Sequence, residues 1–281
     1  MPLLYYWRGD NYRRDLDMGA SYHLNQSNPL LHSLDIGDSL WAFTRTEDGI
    51  YSLAAELIVH AKTYNPKSFR YGQYRVWGHL DLSRYFKIGN ENRVEVIIRN
   101  LSCSANALVL GRSFQGRAAV RSITLQDHQI LSKFAEHLRL EPRARILPEE
   151  KLEASLVYGD PTKIQRLIAE EKTGVAEVRA KYLYVQVAQR SRGLVDKLQE
   201  IYTGRCQICR WDPKSRYHHH LSQGHHLQWL SRGGSDSLSN MVLVCPNHHA
   251  AIHRVDGAFD YADLSFAFME HREKLVLNAH L

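Results

Sequence analysis

The chain has 281 residues, of which 44% are hydrophobic and 23% are charged, a composition typical of globular proteins. No apolar run approaches the ~18 residues of a membrane-spanning helix, and residues 1–10 lack the basic start of a secretory signal, so we expect no membrane partner and no secretion. The formal net charge of +6 fits an anionic partner such as nucleic acid.

The positive charge is concentrated in the N-terminal half of the chain. Residues 61–125 carry 11 Lys and Arg against 3 Asp and Glu, whereas residues 1–60 carry 4 against 8 and residues 201–281 carry 8 against 7. If DNA is the partner, the N-terminal half is therefore expected to hold it.

Residues 1–125 have the pattern of short strands separated by turn residues. An aromatic first strand in "LLYYWRGD" is followed by a polar loop, and "IGD" (36–38) and "EDG" (47–49) indicate turns. Aromatic and β-branched residues predict further strands at 39–45, 51–61, 74–82, 93–101 and 106–111. This spacing predicts a small, strongly curved sheet or barrel.

Helices are predicted later in the chain. Thr124 is a candidate N-cap for a helix at 125–140, and a second helix at 190–206 is expected to end at Gly204. The proline- and charge-rich stretch 141–163 indicates a linker, which a short helix at 163–172 follows. The predicted domains are 1–140 and 186–281, joined by a linker with a helix at 141–185.

Three of the four cysteines form one pattern. Cys206 and Cys209 are a Cys-x2-Cys pair, and Cys245 and His248 repeat that spacing after 35 intervening residues. Two such pairs can place four ligands around one tetrahedral ion, so a structural Zn²⁺ site is predicted, with coincidental free thiols as the alternative. Cysteines used in this way also indicate a reducing, cytoplasmic compartment.

Histidines next to this pattern indicate a second metal site. His249 and His253 would lie on the same face of a helix, a geometry that suits two imidazoles on one cation. His248 and His249 would point about 100° apart, so that one faces the zinc ion and the other a second ion. Three further histidines, His218, His219 and His220, follow what looks like a hairpin loop and are expected to be solvent-exposed; a contact with DNA phosphate or an adventitious metal is the alternative.

The order of these elements resembles the HNH, or ββα-metal, nucleases over about residues 200–255. The stretches that carry the resemblance are "CQIC", "GHHLQWLSRGGSDSLSN" and "CPNHHAAIH", with His248 at a position where a fourth Cys is common. The resemblance implies that His226 is the general base, that Asn240 orients it, and that His225, His249 and His253 hold the catalytic ion. That ion would be Mn²⁺, Mg²⁺, Ni²⁺ or Zn²⁺, and three imidazoles favour the transition metals.

Residues 1–140 resemble EVE domains of the PUA-like group. The features that match are the GD-then-strand segment and a late Arg-Ser segment before a Ser/Thr-capped helix. The resemblance implies a curved sheet with a pocket for a flipped nucleobase. Candidate pocket walls are Trp7, Tyr22 and Trp41, candidate base-edge readers are Asp10 and Asn11, and candidate phosphate contacts are Arg112, Arg117 and Arg121. Trp7 and Trp41 could equally be core aromatic residues.

Together these features predict an α+β protein with an N-terminal PUA-like (EVE) curved β-sheet or barrel, a helical linker and a C-terminal ββα-metal HNH domain with structural zinc. The leading hypothesis is a restriction endonuclease that cuts double-stranded DNA containing modified cytosine, either 5-methylcytosine or 5-hydroxymethylcytosine. A homodimer is plausible, because double-strand cleavage needs two active sites or two visits. The alternatives are an HNH enzyme that reads unmodified DNA and a non-enzymatic zinc protein that binds nucleic acid.

Overall fold

The computed structural model divides into two compact units, Met1–Arg145 and Ile146–Leu281. It describes residues 1–17, 23–104, 107–141, 162–163, 165–166, 193–230, 234–268 and 270–281. Tyr22, most of the predicted linker at 141–185 and most of the predicted helix at 163–172 lie outside these residues. No helix within them is long and apolar enough to cross a membrane.

Within the described residues, the first unit is built on one sheet of seven strands. The strands are β1 (Leu3–Tyr6), β2 (His23–Gln26), β3 (Ser39–Arg45), β4 (Tyr51–Tyr64), β5 (Tyr74–Gly78), β6 (Arg84–Tyr85) and β7 (Val120–Ser122). In spatial order they are β2-β5-β4-β3-β1-β7, and β6 pairs with β4. β1 and β3 are parallel, and the other pairs are antiparallel.

The curvature of this sheet comes from β4, which is 14 residues long. Its first half pairs with β3 and its second half with β5, and the register shifts between Ala42 and Phe43 and again between Val59 and Ala61. Such bulges bend a strand and increase its twist. The sheet therefore curls into a half-barrel, which confirms the predicted curved sheet.

Four helices accompany the sheet: α1 (Gly9–Asp17), α2 (Glu95–Asn100), α3 (Leu110–Ser113) and α4 (Leu125–Ala135). The predicted N-cap of α4 is confirmed, because the Thr124 hydroxyl accepts from the Asp127 N–H at 3.0 Å and the Asp127 carboxylate accepts from the Thr124 N–H at 3.1 Å. This reciprocal capping box satisfies two backbone donors at once. α4 ends at Ala135, five residues before the predicted end.

The predicted strand at 93–101 is wrong, because this segment forms α2. Its buried residues are Val94, Ile98 and Leu101, whereas Val96 is 74% exposed. Burial at positions i, i+4 and i+7 is helical periodicity, not the alternation of a strand. Glu95 and Arg99 add an ion pair of 2.8 Å across one turn of the helix. The β-branched composition of residues 93–101 therefore predicted the wrong type of secondary structure.

Three smaller expectations are also corrected. The predicted strand at 106–111 gives way to α3 and leaves Leu108 94% exposed. The predicted strand at 74–82 ends at Gly78, and the polar loop expected after "LLYYWRGD" is largely α1.

The second unit contains a two-stranded sheet, a three-stranded sheet and the helices around them. The strands β8 (Gln223–His226) and β9 (Met241–Val244) are antiparallel, and helix α7 (Pro246–Val255) follows directly. The other elements are α5 (Leu194–Tyr202), α6 (Pro213–Tyr217), β10 (Ala258–Asp260), β11 (Ser265–Phe268) and β12 (His271–Lys274). β8, β9 and α7 make up the ββα unit that the resemblance implies.

Helix α5 supports this ββα unit from one side. Its residues Leu194, Leu198 and Tyr202 pack against Met241 and Leu243 of β9. The helix stops where Thr203 and Gly204 adopt positive φ angles of 52° and 77°. A glycine at the end of a helix in this conformation is a common stop, as the sequence predicted for Gly204.

The segment "WDPKSR" (211–216), predicted as a hairpin loop, contributes to helix α6. The Asp212 carboxylate accepts hydrogen bonds from the backbone N–H groups of Lys214 and Ser215. Pro213 occupies the first helical position, where its missing N–H has no consequence. These two features are helix-start signals, and they outweigh the turn character of the Asp-Pro pair.

Candidate active site

The four predicted zinc ligands lie together in the second unit. Cys206 and Cys209 are on a tight turn, which the Arg210 N–H closes by donating to the Cys206 carbonyl at 2.9 Å. Cys245 caps helix α7, and His248 lies in its first turn. The four potential ligand atoms are all within 4.8 Å of one another, so the cluster could hold a zinc ion.

The environment of this cluster suits a cation. Burial raises the pKa of Cys206 to about 12 and also raises the pKa of Cys245. Two buried thiols in such surroundings stay neutral unless a positive charge stabilises their thiolates. His248 Nδ1 lies 3.1 Å from the Cys245 sulfur and 3.6 Å from the Cys206 sulfur, so the imidazole completes a mixed set of three sulfurs and one nitrogen.

The other ring nitrogen of His248 faces a carboxylate that the sequence analysis missed. His248 Nε2 lies 3.0 Å from Oε2 of Glu273 on β12, an ionic contact that lacks the angles of a hydrogen bond. A carboxylate behind a metal-bound histidine orients the ring and increases its basicity. Glu273 lies 25 residues after His248, and no local motif links the two positions.

Three further histidines of the ββα unit lie close together. The ring centroid of His225 on β8 lies 5.3 Å from that of His249 and 4.6 Å from that of His253, and these two α7 rings are 4.6 Å apart. Trp229 and Phe266 enclose the group, with centroids 4.5 Å from His253 and 6.2 Å from His225, respectively. The structure thus brings together the three residues that the sequence predicted as ligands of a catalytic ion.

The state of His225 fits a metal ligand. Its side chain is buried, and neither ring nitrogen has a hydrogen-bond partner among the residues that the structure describes. Burial, together with the rings of His253 and His249, lowers the pKa of His225 well below its usual range. A buried imidazole without a partner costs about 1–3 kcal/mol, and neutral imidazole is the form that binds a metal. A neutral, buried imidazole beside two others therefore has the chemistry of a ligand for a divalent ion.

His226, the next residue on β8, faces a different partner. Its Nε2 lies 3.1 Å from Oδ1 of Asp236, and the two side chains are 1% and 10% exposed. An ionised carboxylate only accepts hydrogen bonds, so we infer that Nε2 carries the hydrogen and that Nδ1 is the basic nitrogen. Asp236 was not singled out from the sequence, because the pair forms across a loop and is ten residues apart.

Asn240 acts on this loop and does not orient the His226 ring directly. Its Oδ1 accepts from the Gln228 N–H at 2.9 Å, and its Nδ2 donates to the carbonyls of Gln228 and Ser235 at 2.9 and 2.8 Å. Ser235 directly precedes Asp236. Asn240 therefore fixes the loop that presents Asp236, and the orienting role predicted for it would act on His226 through that loop.

The first unit contains a cavity of about 940 Å³ beside β1 and the start of α1. Asp10, Asn11 and Arg112, all expected in this region from the sequence, are among its lining residues. Tyr6 and Tyr51 also line it, although neither was singled out. Tyr6 belongs to the predicted first strand, in which the neighbouring Trp7 was chosen as the candidate pocket wall.

Two predicted pocket walls lie elsewhere. Trp41 is 0% exposed in the core under the sheet, and its indole N–H donates to His128 at 3.0 Å. Trp7 packs edge-on against Tyr12, and its N–H donates to Asp15 at 3.1 Å. Both side chains are therefore structural aromatics in this unit and not walls of the cavity. The third candidate, Tyr22, lies outside the described residues.

The three candidate phosphate contacts differ in their surroundings. Arg112 and Arg117 are exposed. Arg121 donates to the carbonyls of Cys103 and Ser113, and its guanidinium lies 3.9 Å from the centroid of the Phe114 ring. Arg121 therefore holds local backbone together and is corrected to a structural residue.

Comparison with known proteins finds a family domain within the second unit. Residues 206–254 match the HNH endonuclease family model. Anaredoxin from Nostoc sp. (strain PCC 7120) is 31% identical over 58 residues, which are 21% of this chain and 68% of that protein.

Two solved structures align with much of this chain at low similarity. One is the modification-dependent TagI restriction endonuclease, with 12% identity, a TM-score of 0.27, and coverage of 92% of this chain and 63% of that one. The other is the type IV phosphorothioation-dependent restriction endonuclease ScoMcrA, with 15% identity, a TM-score of 0.22, and coverage of 82% and 44%. The chain spans less than two thirds of either protein, and TM-scores this low do not establish a common fold.

Cys206→Ser should remove tightly bound zinc and lower the unfolding temperature, because a structural zinc ion contributes directly to folding free energy. Metal analysis after mild chelation should find about one zinc per wild-type chain, and calorimetry should detect the lost stability. Cys103→Ser is the matched control, since Cys103 lies outside the cluster. A Cys206→Ser protein that retains one zinc and unfolds at the wild-type temperature would contradict the Cys3His site.

Proposed function

The chain belongs to the HNH endonuclease family through residues 206–254, and on that basis we propose that it hydrolyses phosphodiester bonds in double-stranded DNA that carries modified cytosine. The second unit would make the cut, and the first unit would read the modified base. Cutting both strands calls for two active sites or two visits, so we expect a homodimer.

The observation that carries the proposal is the division of labour between two adjacent histidines. His225 faces His249 and His253, whereas His226 faces Asp236. Successive residues of a strand point to opposite faces, so β8 can present one imidazole to a metal ion and the next to a water molecule. A purely structural metal site would give no role to the second, carboxylate-paired imidazole.

The cleavage chemistry follows from these positions. A divalent ion held by His225, His249 and His253 would supply positive charge at the scissile phosphate and the leaving 3′-oxygen. His226 Nδ1 takes the proton from the attacking water, while Asp236 holds the hydrogen on Nε2 and stabilises the imidazolium that forms. Asn240 keeps the loop of Asp236 in place. Trp229 and Phe266 limit the access of bulk water to the cluster.

The proposed base reader is the cavity of the first unit. At about 940 Å³ it lies within the range of ligand pockets and has room for a nucleobase flipped out of its strand. Tyr6 and Tyr51, whose ring centroids are 6.3 Å apart at an angle of 55°, supply aromatic surface on which a base can stack. Asp10 and Asn11 supply acceptor and donor groups for its polar edge.

The rim of this cavity is suited to a phosphate backbone. Arg8, Arg13, Arg45 and Arg112 line it beside the aromatic rings. Arg13 is paired with Asp10 and Glu47 at 2.8 and 2.9 Å, whereas the exposed Arg112 is in the better position for a phosphate contact. The EVE-like pattern of residues 1–140 agrees with this arrangement, and the surplus charge of residues 61–125 supports DNA binding by this unit.

A cleavage assay on matched duplexes separates this proposal from its alternatives. Duplexes that carry 5-methylcytosine, 5-hydroxymethylcytosine or plain cytosine are incubated with the full chain and Mn²⁺ or Mg²⁺. Selective cutting of a modified duplex supports the proposal. Equal cutting of all three indicates an HNH enzyme that reads unmodified DNA, and binding without any cutting indicates a non-enzymatic zinc protein.

His226→Ala should abolish most cleavage while leaving folding and DNA binding intact. Loss of a general base typically costs ~10²–10⁴ in rate, and this should appear in single-turnover cleavage at saturating metal. His137→Ala, at an exposed position in the first unit, is the matched control. Cutting by His226→Ala at the wild-type rate would refute the assignment.

Asp236→Asn should reduce the single-turnover rate roughly tenfold or more, but by less than loss of His226, because the amide no longer fixes the hydrogen on Nε2. Metal affinity, measured by Mn²⁺ titration, should stay unchanged, since Asp236 faces His226. Asp196→Asn, at an exposed position on α5, controls for the loss of one negative charge. A full wild-type rate in the Asp236→Asn protein would remove Asp236 from the mechanism.

Tyr6→Leu should weaken discrimination between modified and plain duplexes, because stacking of one base contributes ~1–3 kcal/mol. The test compares duplex affinities of the full chain in a His226→Ala background, so that no substrate is consumed. Tyr64→Leu is the control, since Tyr64 packs against His32 and lies outside the cavity lining. Unchanged discrimination in the Tyr6→Leu protein would exclude this cavity as the reader.

A further inference from the structure

The charge of the nuclease unit is unevenly distributed along its chain. Residues 205–220 contain four Lys and Arg against one Asp, whereas residues 221–281 contain four against six. The net charge of residues 205–281 is therefore close to zero although one stretch within them is strongly basic. This stretch, residues 205–220, is called the basic segment below.

The cationic side chains of the basic segment are exposed and largely uncompensated. Arg205, Arg210, Lys214 and Arg216 are all exposed. Arg205 lies 3.4 Å from Asp212, and none of the other three cations has a carboxylate partner among the described residues. The Arg216 guanidinium instead lies 5.8 Å from the ring centroid of the 48% exposed Tyr217. His218, His219 and His220 add exposed imidazoles to the same surface.

The basic segment is attached to the metal-binding framework at both ends. At its start, the Arg210 N–H closes the turn that carries Cys206 and Cys209. At its end, the Ser222 hydroxyl donates to the Gly204 carbonyl at 2.7 Å, immediately before β8 begins. The segment thus connects the predicted zinc ligands Cys206 and Cys209 to β8, the strand that carries His225 and His226.

Two of its basic residues have an unusual backbone conformation. Arg210 and His218 have positive φ angles of 63° and 58°, in the left-handed region that glycine and asparagine adopt most readily. At both positions the chain has a side chain able to donate hydrogen bonds to a phosphate oxygen. The zinc turn and the end of α6 hold these side chains on an ordered surface.

We propose that the basic segment is a second DNA-backbone contact, built into the nuclease unit. The proposal rests on the proposed function, in which DNA is the substrate. Arginine side chains match phosphate oxygens in a bidentate geometry, and exposed cations free of carboxylate partners suit a polyanion. Contacts of this kind are made with the sugar-phosphate backbone and are independent of sequence.

The test is the salt dependence of DNA binding by the full, zinc-loaded chain in a His226→Ala background. The triple variant Arg210→Ala, Lys214→Ala and Arg216→Ala should reduce the slope of log K against log salt by about 2 to 3, since each phosphate contact contributes about 0.9. The control triple variant Lys133→Ala, Lys197→Ala and Lys274→Ala removes the same charge from exposed positions elsewhere. An unchanged slope in the first triple variant, or an equal loss in both, overturns the proposal.

A charge-preserving variant distinguishes the loss of positive charge from a folding defect. The double variant Arg210→Lys and Arg216→Lys should keep a slope within about 1 of the parent protein, because both positive side-chain charges remain available to phosphates. If this double variant loses as much slope as the triple variant, the effect is structural and the proposal fails. The slope is measured without cleavage, so absence of cutting by the wild-type chain would refute the proposed function while leaving the test of the basic segment intact.

Discussion

The helix Pro246–Val255 is the element on which both proposed metal centres depend. Cys245 caps its start, His248 faces the cysteine cluster, and His249 and His253 face His225. Because neighbouring helical residues diverge by about 100°, one short helix can serve two ions at once. Loosening the proposed zinc site would shift the helix and with it two of the three proposed catalytic ligands. A zinc ion bound there would therefore support the proposed catalytic geometry as well as the fold.

Contacts between distant residues give each histidine one orientation. Glu273 lies behind His248, Asp236 lies beside His226, and Asn240 ties together the loop that presents Asp236. Each partner is buried or partly buried, where an electrostatic contact is stronger than in water. Such partners determine which ring nitrogen holds a hydrogen, and so which one can bind a metal or accept a proton. Partners of this kind distinguish histidines with a proposed chemical role from histidines that are merely exposed at a surface.

Much of the second unit could be predicted from the sequence because its signals are local. The Cys-x2-Cys spacing, the i, i+4 histidines and the helix stop at Gly204 are each determined within a few residues. Glu273 and Asp236 could not be predicted, since chain topology alone brings them to their histidines. In the first unit, composition was misleading: β-branched residues hid the helical spacing of 93–101, and Trp41 looked like a stacking surface although it fills the core. Aromatic residues serve packing and recognition equally well, and burial alone separates the two.

A titration of the metal-free chain with Co²⁺ tests directly whether the helix Pro246–Val255 holds two separate ions. Thiolate ligands give cobalt an intense charge-transfer absorption that imidazole ligands do not. Two ions should bind per chain, of which one shows the thiolate band, and His249→Ala should lose the other ion alone. A single bound ion, or a thiolate band that disappears in His249→Ala, would contradict two independent sites on the helix Pro246–Val255.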